Sequence, residues 1–242
     1  MNAINKRILT CLVGSALALG FGVSQAAPTY VFDNTTSSDI PGLTGFSTTG
    51  AMMDGMSVTV DFVGGGSETR SWADTGPSSG GVTGTGWSLT ETGDTFGGTW
   101  TFAITSTDGL SVQRFSMNGN PGFTIFDVDM YQVQSPCDTY TPTGGDQECS
   151  PGSARGARMV FGSNLSPTVT YSDIVGVAGA PPVGDLWHVV GADFGADGIR
   201  TGFTFTQDTD NDSRLSVPEP ATIALLGIGL AGLGISRRRK LH

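Results

Sequence analysis

The sequence predicts an all-β body, an antiparallel β-sandwich or jelly roll, set between an N-terminal signal peptide and a single C-terminal transmembrane helix. Three observations carry this. Between the two ends, no window keeps apolar residues at the i, i+3, i+4, i+7 spacing of an amphipathic helix. Short runs alternating apolar and polar residues recur there instead, nine or so in number. Turn signals such as Asp108-Gly109 and Asn118-Gly119 separate most of them, in a chain of 242 residues with 37 Gly and 12 Pro.

The expected strands fall at 57–63, 87–92, 99–106, 111–117, 124–130, 158–161, 168–171, 186–194 and 202–207. Their alternation assigns faces. Trp100, Phe102 and Ile104 share one side, opposite Thr99, Thr101 and Thr105. In 124–130, Phe126, Val128 and Met130 point one way while Asp127 and Asp129 point the other, onto an expected solvated face. Strands with one wet side suit two layers packed face to face. The stretch 64–86 is so rich in Gly, Ser and Thr that it reads as a long excursion, with a short strand around 69–72. The body spans 27–216, about 190 residues, enough for one core.

Both ends carry addresses. Lys6 and Arg7 precede an apolar run at 8–23, and Ser24-Gln25-Ala26 forms a small-x-small site, placing cleavage between Ala26 and Ala27. Cys11 lies early in that apolar run, without the small neighbour a lipoprotein site needs, and goes with the leader. The chain is therefore expected to be exported by Sec-type machinery. At the other end, 217–242, Val217-Pro218-Glu219-Pro220 precedes an uncharged apolar run at 221–235, and Arg237, Arg238, Arg239 and Lys240 close it. The prolines stop regular structure, and the basic cluster resists translocation and holds the tail on the cytoplasmic side. Fifteen helical residues reach about 22 Å, short of a ~30 Å hydrocarbon core. So short a span suits a temporary anchor better than a permanent stem.

The ordered triplet of Pro-Glu-Pro box, Gly/Leu-rich span and Arg cluster at 217–240 closely resembles the PEP-CTERM sorting signal. Such a tail has also been catalogued as an ice-binding-protein C-terminal segment. The resemblance implies an exosortase, a membrane-embedded transpeptidase-like enzyme of exopolysaccharide-making Gram-negative bacteria, as partner. It implies a transient stop in the inner membrane with the body periplasmic, processing near Glu219, and delivery to the cell surface or extracellular matrix. A structural or adhesive role in biofilm follows as the expectation.

Charge narrows the partners. The body carries six Arg, no Lys and 21 acids, a net charge of about −15, which repels nucleic acid and anionic lipid. Its two cysteines, Cys137 and Cys149, enclose one short Pro/Gly/acid loop and are expected to pair as a disulfide in an oxidising compartment. Closing that loop is worth about 3 kcal/mol in the chain-entropy account.

Candidate chemistry is sparse. Asp127 and Asp129 sit about 7 Å apart on one strand face, within the range of a glycosidase pair, but any acidic strand face has that spacing. Asp208, Asp210 and Asp212 occupy positions 1, 3 and 5 of a calcium-loop pattern, with Ser213 where the turn wants Gly. His188 shares a strand face with Leu186 and Val190 and reads as a packed histidine. No Gly-x-Ser-x-Gly elbow, phosphate loop or HExxH is present, so an enzyme is not expected. Trp72, inside the loop-rich stretch, is the best candidate for an exposed sugar contact. The leading expectation is thus a matrix module, with a carbohydrate-binding module and a secreted hydrolase as alternatives.

Overall fold

The structure is a computed structural model and describes residues 27–44, 47–106, 108–128, 150–153, 156–162 and 165–214. Its strands are β1 (Thr29–Ile40), β2 (Leu43–Thr44), β3 (Ser57–Phe62), β4 (Ser67–Ser71), β5 (Ala73–Gly76), β6 (Ser79–Gly84), β7 (Trp87–Thr92) and β8 (Trp100–Ile104). They continue as β9 (Val112–Asn118), β10 (Thr124–Asp127), β11 (Val160–Phe161), β12 (Thr168–Val177), β13 (Leu186–Asp193), β14 (Phe203–Thr206) and β15 (Asp208–Asp212). The all-β, two-sheet architecture read from the alternation is the one found.

The larger sheet runs β2-β15-β10-β13-β9-β3-β4, with β12 and then β1 continuing from β13; the smaller runs β11-β14-β8-β7-β6-β5. Pairing is antiparallel except for β1, which lies parallel to β12. The larger sheet forks at β13. One edge of β13 takes β12, while the other takes β9 against 189–193 and β10 against 186–187. A 3-10 turn at Asn120–Gly122 separates β9 from β10, so the two lie end to end on one edge. Gly119 permits that turn, because a Cβ there would stand 2.0 Å from the Thr124 carbonyl oxygen.

The core lies between the sheets. Trp87, Leu89, Trp100, Phe102, Phe203 and Phe205 of the smaller sheet meet Val58, Val60, Phe115, Met117, Phe126 and Trp187 of the larger. Phe102 stacks on Phe203 at 4.9 Å and Trp100 on Phe205 at 5.6 Å, and Phe115 reaches across to Phe205 at 5.5 Å. Each such pair adds about 0.5–1.5 kcal/mol beyond the area it buries. A second apolar cluster, Ile40, Ile125, Val175, Val177 and Leu186, occupies the outer side of the larger sheet. Asp173 allows β12 to serve both clusters. Its left-handed backbone (φ 58°) breaks the alternation between Tyr171, in the main core, and Val175, in the outer one.

The expectation of an excursion at 64–86 is corrected. That stretch forms β4, β5 and β6, with β4 in the larger sheet and β5 and β6 in the smaller. Gly80 serves close approach rather than looseness: a Cβ there would stand 2.1 Å from the Gly50 carbonyl oxygen and 2.2 Å from the Trp72 Nε1. Three strands outside that stretch go beyond the expected set: the polar β1, the two-residue β2 and the acidic β15. The signal peptide and the C-terminal helix expected from the sequence lie outside the described residues.

Candidate functional site

Three strands of the forked half, β13, β10 and β15, bring acids together. In their register Leu186 opposes Asp127 and Asp127 opposes Asp208, while Ile125 opposes Asp210. Opposed residues of antiparallel strands share a face, so Asp127, Asp208 and Asp210 join Ile125 and Leu186 on the outer side. Phe126, Trp187 and Thr209 take the inner side, where Thr209 Oγ1 reaches the Met53 sulfur at 3.8 Å. Asp185, just before β13, completes the group. All four carboxyls are buried: Asp127 is 2%, Asp210 5%, and Asp185 and Asp208 each 7% exposed. The expected solvated face at Asp127 is therefore corrected, and Asp129 lies outside the described residues.

Donors reach this group unevenly. Ser153 Oγ donates to Asp127 Oδ2 at 3.1 Å. Ser150 donates to Asp185 through both its backbone N–H (2.8 Å) and its Oγ (2.7 Å). Thr95 Oγ1 donates to Asp208 Oδ1 at 3.3 Å. Gln207 Nε2 donates to the Asp208 carbonyl at 2.8 Å, and Tyr171 Oη donates to Gln207 Oε1 at 2.6 Å. Asp210 is a diagonal neighbour of Asp127 across the β10–β15 pair, and among the described residues its Oδ2 has no donor. Gly156 makes room for this arrangement, since a Cβ there would stand 2.1 Å from Asp127 Oδ1. Burial, and then mutual repulsion, raises the pKa values of Asp127, Asp208 and Asp210; burial raises that of Asp185, and Asp208 is pushed up to about 8.

The calcium-loop reading of Asp208, Asp210 and Asp212 is corrected. These residues form an extended strand clamped between β10 and β2, not a loop that folds its odd positions around an ion. Asp212 is engaged elsewhere, accepting from Arg214 Nε at 2.6 Å. Among the described residues no three His, Cys, Asp or Glu side chains converge closely enough to cage a metal ion. His188 is fully packed, as its strand position suggested. Its Nδ1 lies 3.0 Å from Asp173 Oδ2, which in the neutral ring accepts that proton, and Ser38 Oγ donates to Asp173 Oδ1 at 2.9 Å. Its Nε2 is buried without a partner, and burial lowers its pKa against the pull of Asp173.

Trp72 is corrected as well. It is 1% exposed, tilted against Trp100 at 5.3 Å, and its Nε1 donates to the Gly50 carbonyl at 2.8 Å, so no sugar reaches its face. The other three tryptophans are equally buried. An open groove of about 530 Å³ lies at the end of β3 and β8, lined by Phe62, Thr85, Ser106, Leu110, Ser111 and Arg200 among others.

Alternation alone puts Asp127 on a wet face and so hides the buried acid group. A signal was present: Asp127 and Asp185 each border apolar runs, Thr-Ile-Phe-Asp-Val and Asp-Leu-Trp-His-Val-Val, with no polar partner beside them. Ala27 is the first described residue. Ala26, the pair Cys137 and Cys149, the box Val217-Pro218-Glu219-Pro220 and the cluster Arg237, Arg238, Arg239, Lys240 lie outside the described residues. Among the described residues no helix is long and apolar enough to cross a membrane. Comparison with protein families matches residues 216–240 to the PEP-CTERM protein-sorting motif. No curated protein and no solved structure matches the chain.

Proposed function

From a chain that carries a PEP-CTERM protein-sorting motif, and so an export signal processed by an exosortase, we propose a non-enzymatic surface protein with a structural or adhesive role in the exopolysaccharide-rich layer outside the cell. The observation that carries this is the position of the motif. It begins at residue 216, four residues after β15 ends at Asp212, so the address is joined to the β body by a short connection. The body's chemistry supports the same reading. Its tryptophans are committed to the core, and polar strand faces meet solvent, as in the Thr59–Thr69 hydroxyl pair at 2.8 Å. A strongly acidic, Lys-free surface keeps such a protein apart from nucleic acid and anionic lipid.

In this reading Pro218, Glu219 and Pro220 are the recognition element, 221–235 is the membrane stall and Arg237–Lys240 the retention charge. The test is cell fractionation of the tagged chain and of Glu219→Gln. The wild type should leave the inner membrane shortened, and the variant should stay there at full length. Normal release of the variant would overturn the sorting mechanism. The adhesive role is tested separately, by sedimenting the exported chain with purified host exopolysaccharide. No co-sedimentation would remove it while leaving the sorting intact. Carbohydrate binding as the body's main activity is a second reading, favoured now by the groove beside Arg200 rather than by Trp72. Arg200→Ala abolishing that co-sedimentation would promote it.

A further inference from the structure

The buried acids on the outer side of β10, β13 and β15 need neutralising. Among the described residues no Arg or His forms an ion pair with Asp127, Asp185, Asp208 or Asp210. Ser150, Ser153 and Thr95 supply neutral donors to three of these carboxyls. Asp210 is different. It is 95% buried, lies diagonally beside Asp127 across the β10–β15 pair, and among the described residues leaves Oδ2 without a donor. An uncompensated buried carboxylate costs several kcal/mol, well beyond what a weak neutral hydrogen bond returns.

We propose that Asp127 and Asp210 bind one divalent cation between them, with the nearby buried Asp185 adding its field, and that in an exported chain this ion is calcium. Two carboxylates are fewer than a three-acid cage, so neutral oxygens complete the shell, Ser153 Oγ, 3.1 Å from Asp127 Oδ2, among them. Calcium suits such a mixed set, accepting 6–8 oxygens in flexible geometry, whereas magnesium demands a near-ideal octahedron. The site differs from the loop pattern at 208–212: Asp212 takes no part, and β10 supplies a ligand that spacing alone did not suggest. When the ion enters, any proton shared by Asp127 and Asp210 leaves to solvent. The ion would tie β10 to β15, the last strand before the sorting motif.

The experiment uses the exported chain, stripped with a chelator, and follows its thermal midpoint at neutral pH as calcium chloride is raised from about 10⁻⁵ to 10⁻² M, with magnesium chloride as control. The midpoint should rise and saturate, half-saturating at about 10⁻⁴–10⁻³ M, the range of extracellular calcium modules. Calorimetry should give one ion per chain, with proton release on binding. Asp210→Asn should fold and weaken calcium at least about tenfold, while Asp212→Asn should keep the response. If Asp210→Asn fails to fold, Asp127→Asn and the wild-type calorimetry decide. A midpoint indifferent to calcium but raised by acid would overturn the proposal and leave a proton-sharing carboxyl pair. An unchanged calcium response in Asp210→Asn would overturn it too.

Discussion

The two faces of β10, β13 and β15 are built from the same backbone and solve burial in opposite ways. Inward, Phe126 and Trp187 join the main apolar core, in which Phe115 touches Phe102, Phe203 and Phe205 within 5.7 Å. Outward, the alternate residues of the same strands are Asp127, Asp208 and Asp210, just as dry. The inner face needs only shape. The outer face needs a counter-charge or a proton, so its contribution depends on what the solvent offers. Solvent conditions should therefore act on one face and leave the other alone.

The largest effect expected on the inner face comes from Trp100→Ala. It removes a fully buried indole stacked on Phe205 and orphans the Gln207 carbonyl that Nε1 donates to at 3.0 Å. Denaturant titration should report a loss of about 3–5 kcal/mol, as for other buried Trp and Phe truncations. The loss should be the same at every pH where the chain stays folded; a loss that varied with pH would break the contrast between the faces.

Glu91 sharpens the comparison, because it is an acid on the inner side of β7. It is 1% exposed, and neither carboxylate oxygen has a well-placed donor. Burial, with Asp94 adding repulsion, pushes its pKa to about 7 although the Gly50 and Thr92 N–H groups pull the other way. The folded chain thus holds this proton more tightly than the unfolded one. Stability from the group is complete below the unfolded value near 4.5, falls as pH rises to about 7, and stays low above it. The full drop is roughly 3 kcal/mol. Glu91→Gln should flatten that part of the pH–stability curve, and an unchanged slope would place the titration elsewhere.

A smaller effect is expected at Glu68, which clasps the two sheets. From β4 it accepts from the Thr85 N–H at 2.9 Å and from Trp87 Nε1 at 2.7 Å across the layer. These bonds, the Thr85 N–H first, hold its pKa down at about 2, so their support is present above about 4.5 and fades as pH falls through that low value. Glu68→Gln should lose about 1 kcal/mol at neutral pH and little in acid. Equal losses at both would show that the clasp is not charge-dependent. The smallest change belongs to Arg114→Ala, which breaks a half-exposed pair with Asp61 at 3.2 Å. Its cost should stay below about 0.5 kcal/mol and vanish in high salt; a salt-independent loss above 1 kcal/mol would mean that the Arg114 stem packs.

How much of this was legible follows from what the sequence reports. β3, β7 and β8 were legible because their apolar residues recur every second position, the one pattern that survives without knowledge of neighbours. β15 was not. Asp and Asn are among the poorest strand formers, so Asp-Thr-Asp-Asn-Asp reads as a loop. It is extended because β10 and β2 hold it from both sides, which only the assembled sheet reveals. β1 hides in the same way: its Thr/Ser/Asp-rich middle carries no alternation, and parallel pairing with β12, far along the chain, defines it. Trp72 misled for the opposite reason. Its glycine-rich surroundings read as a mobile loop, whereas Gly50 and Gly80 are there to let backbone close on the indole. The sorting motif at 216–240 was legible because it is read as linear sequence.

One feature of β15 bears on mechanics. A protein held at a surface through its C-terminus is pulled from that end, and Arg214, bonded to Asp212, is where the described fold would feel the tug. Force there runs along the axis of β15, whose flanks are stitched to β10 through four residue pairs and to β2 through two. Those hydrogen bonds would be strained together, in shear, rather than opened one by one as at a peeled edge. The final strand would therefore hold against a pull on the C-terminal end of the body the way a lap joint holds a strap, and would resist it better than a peeled edge strand does.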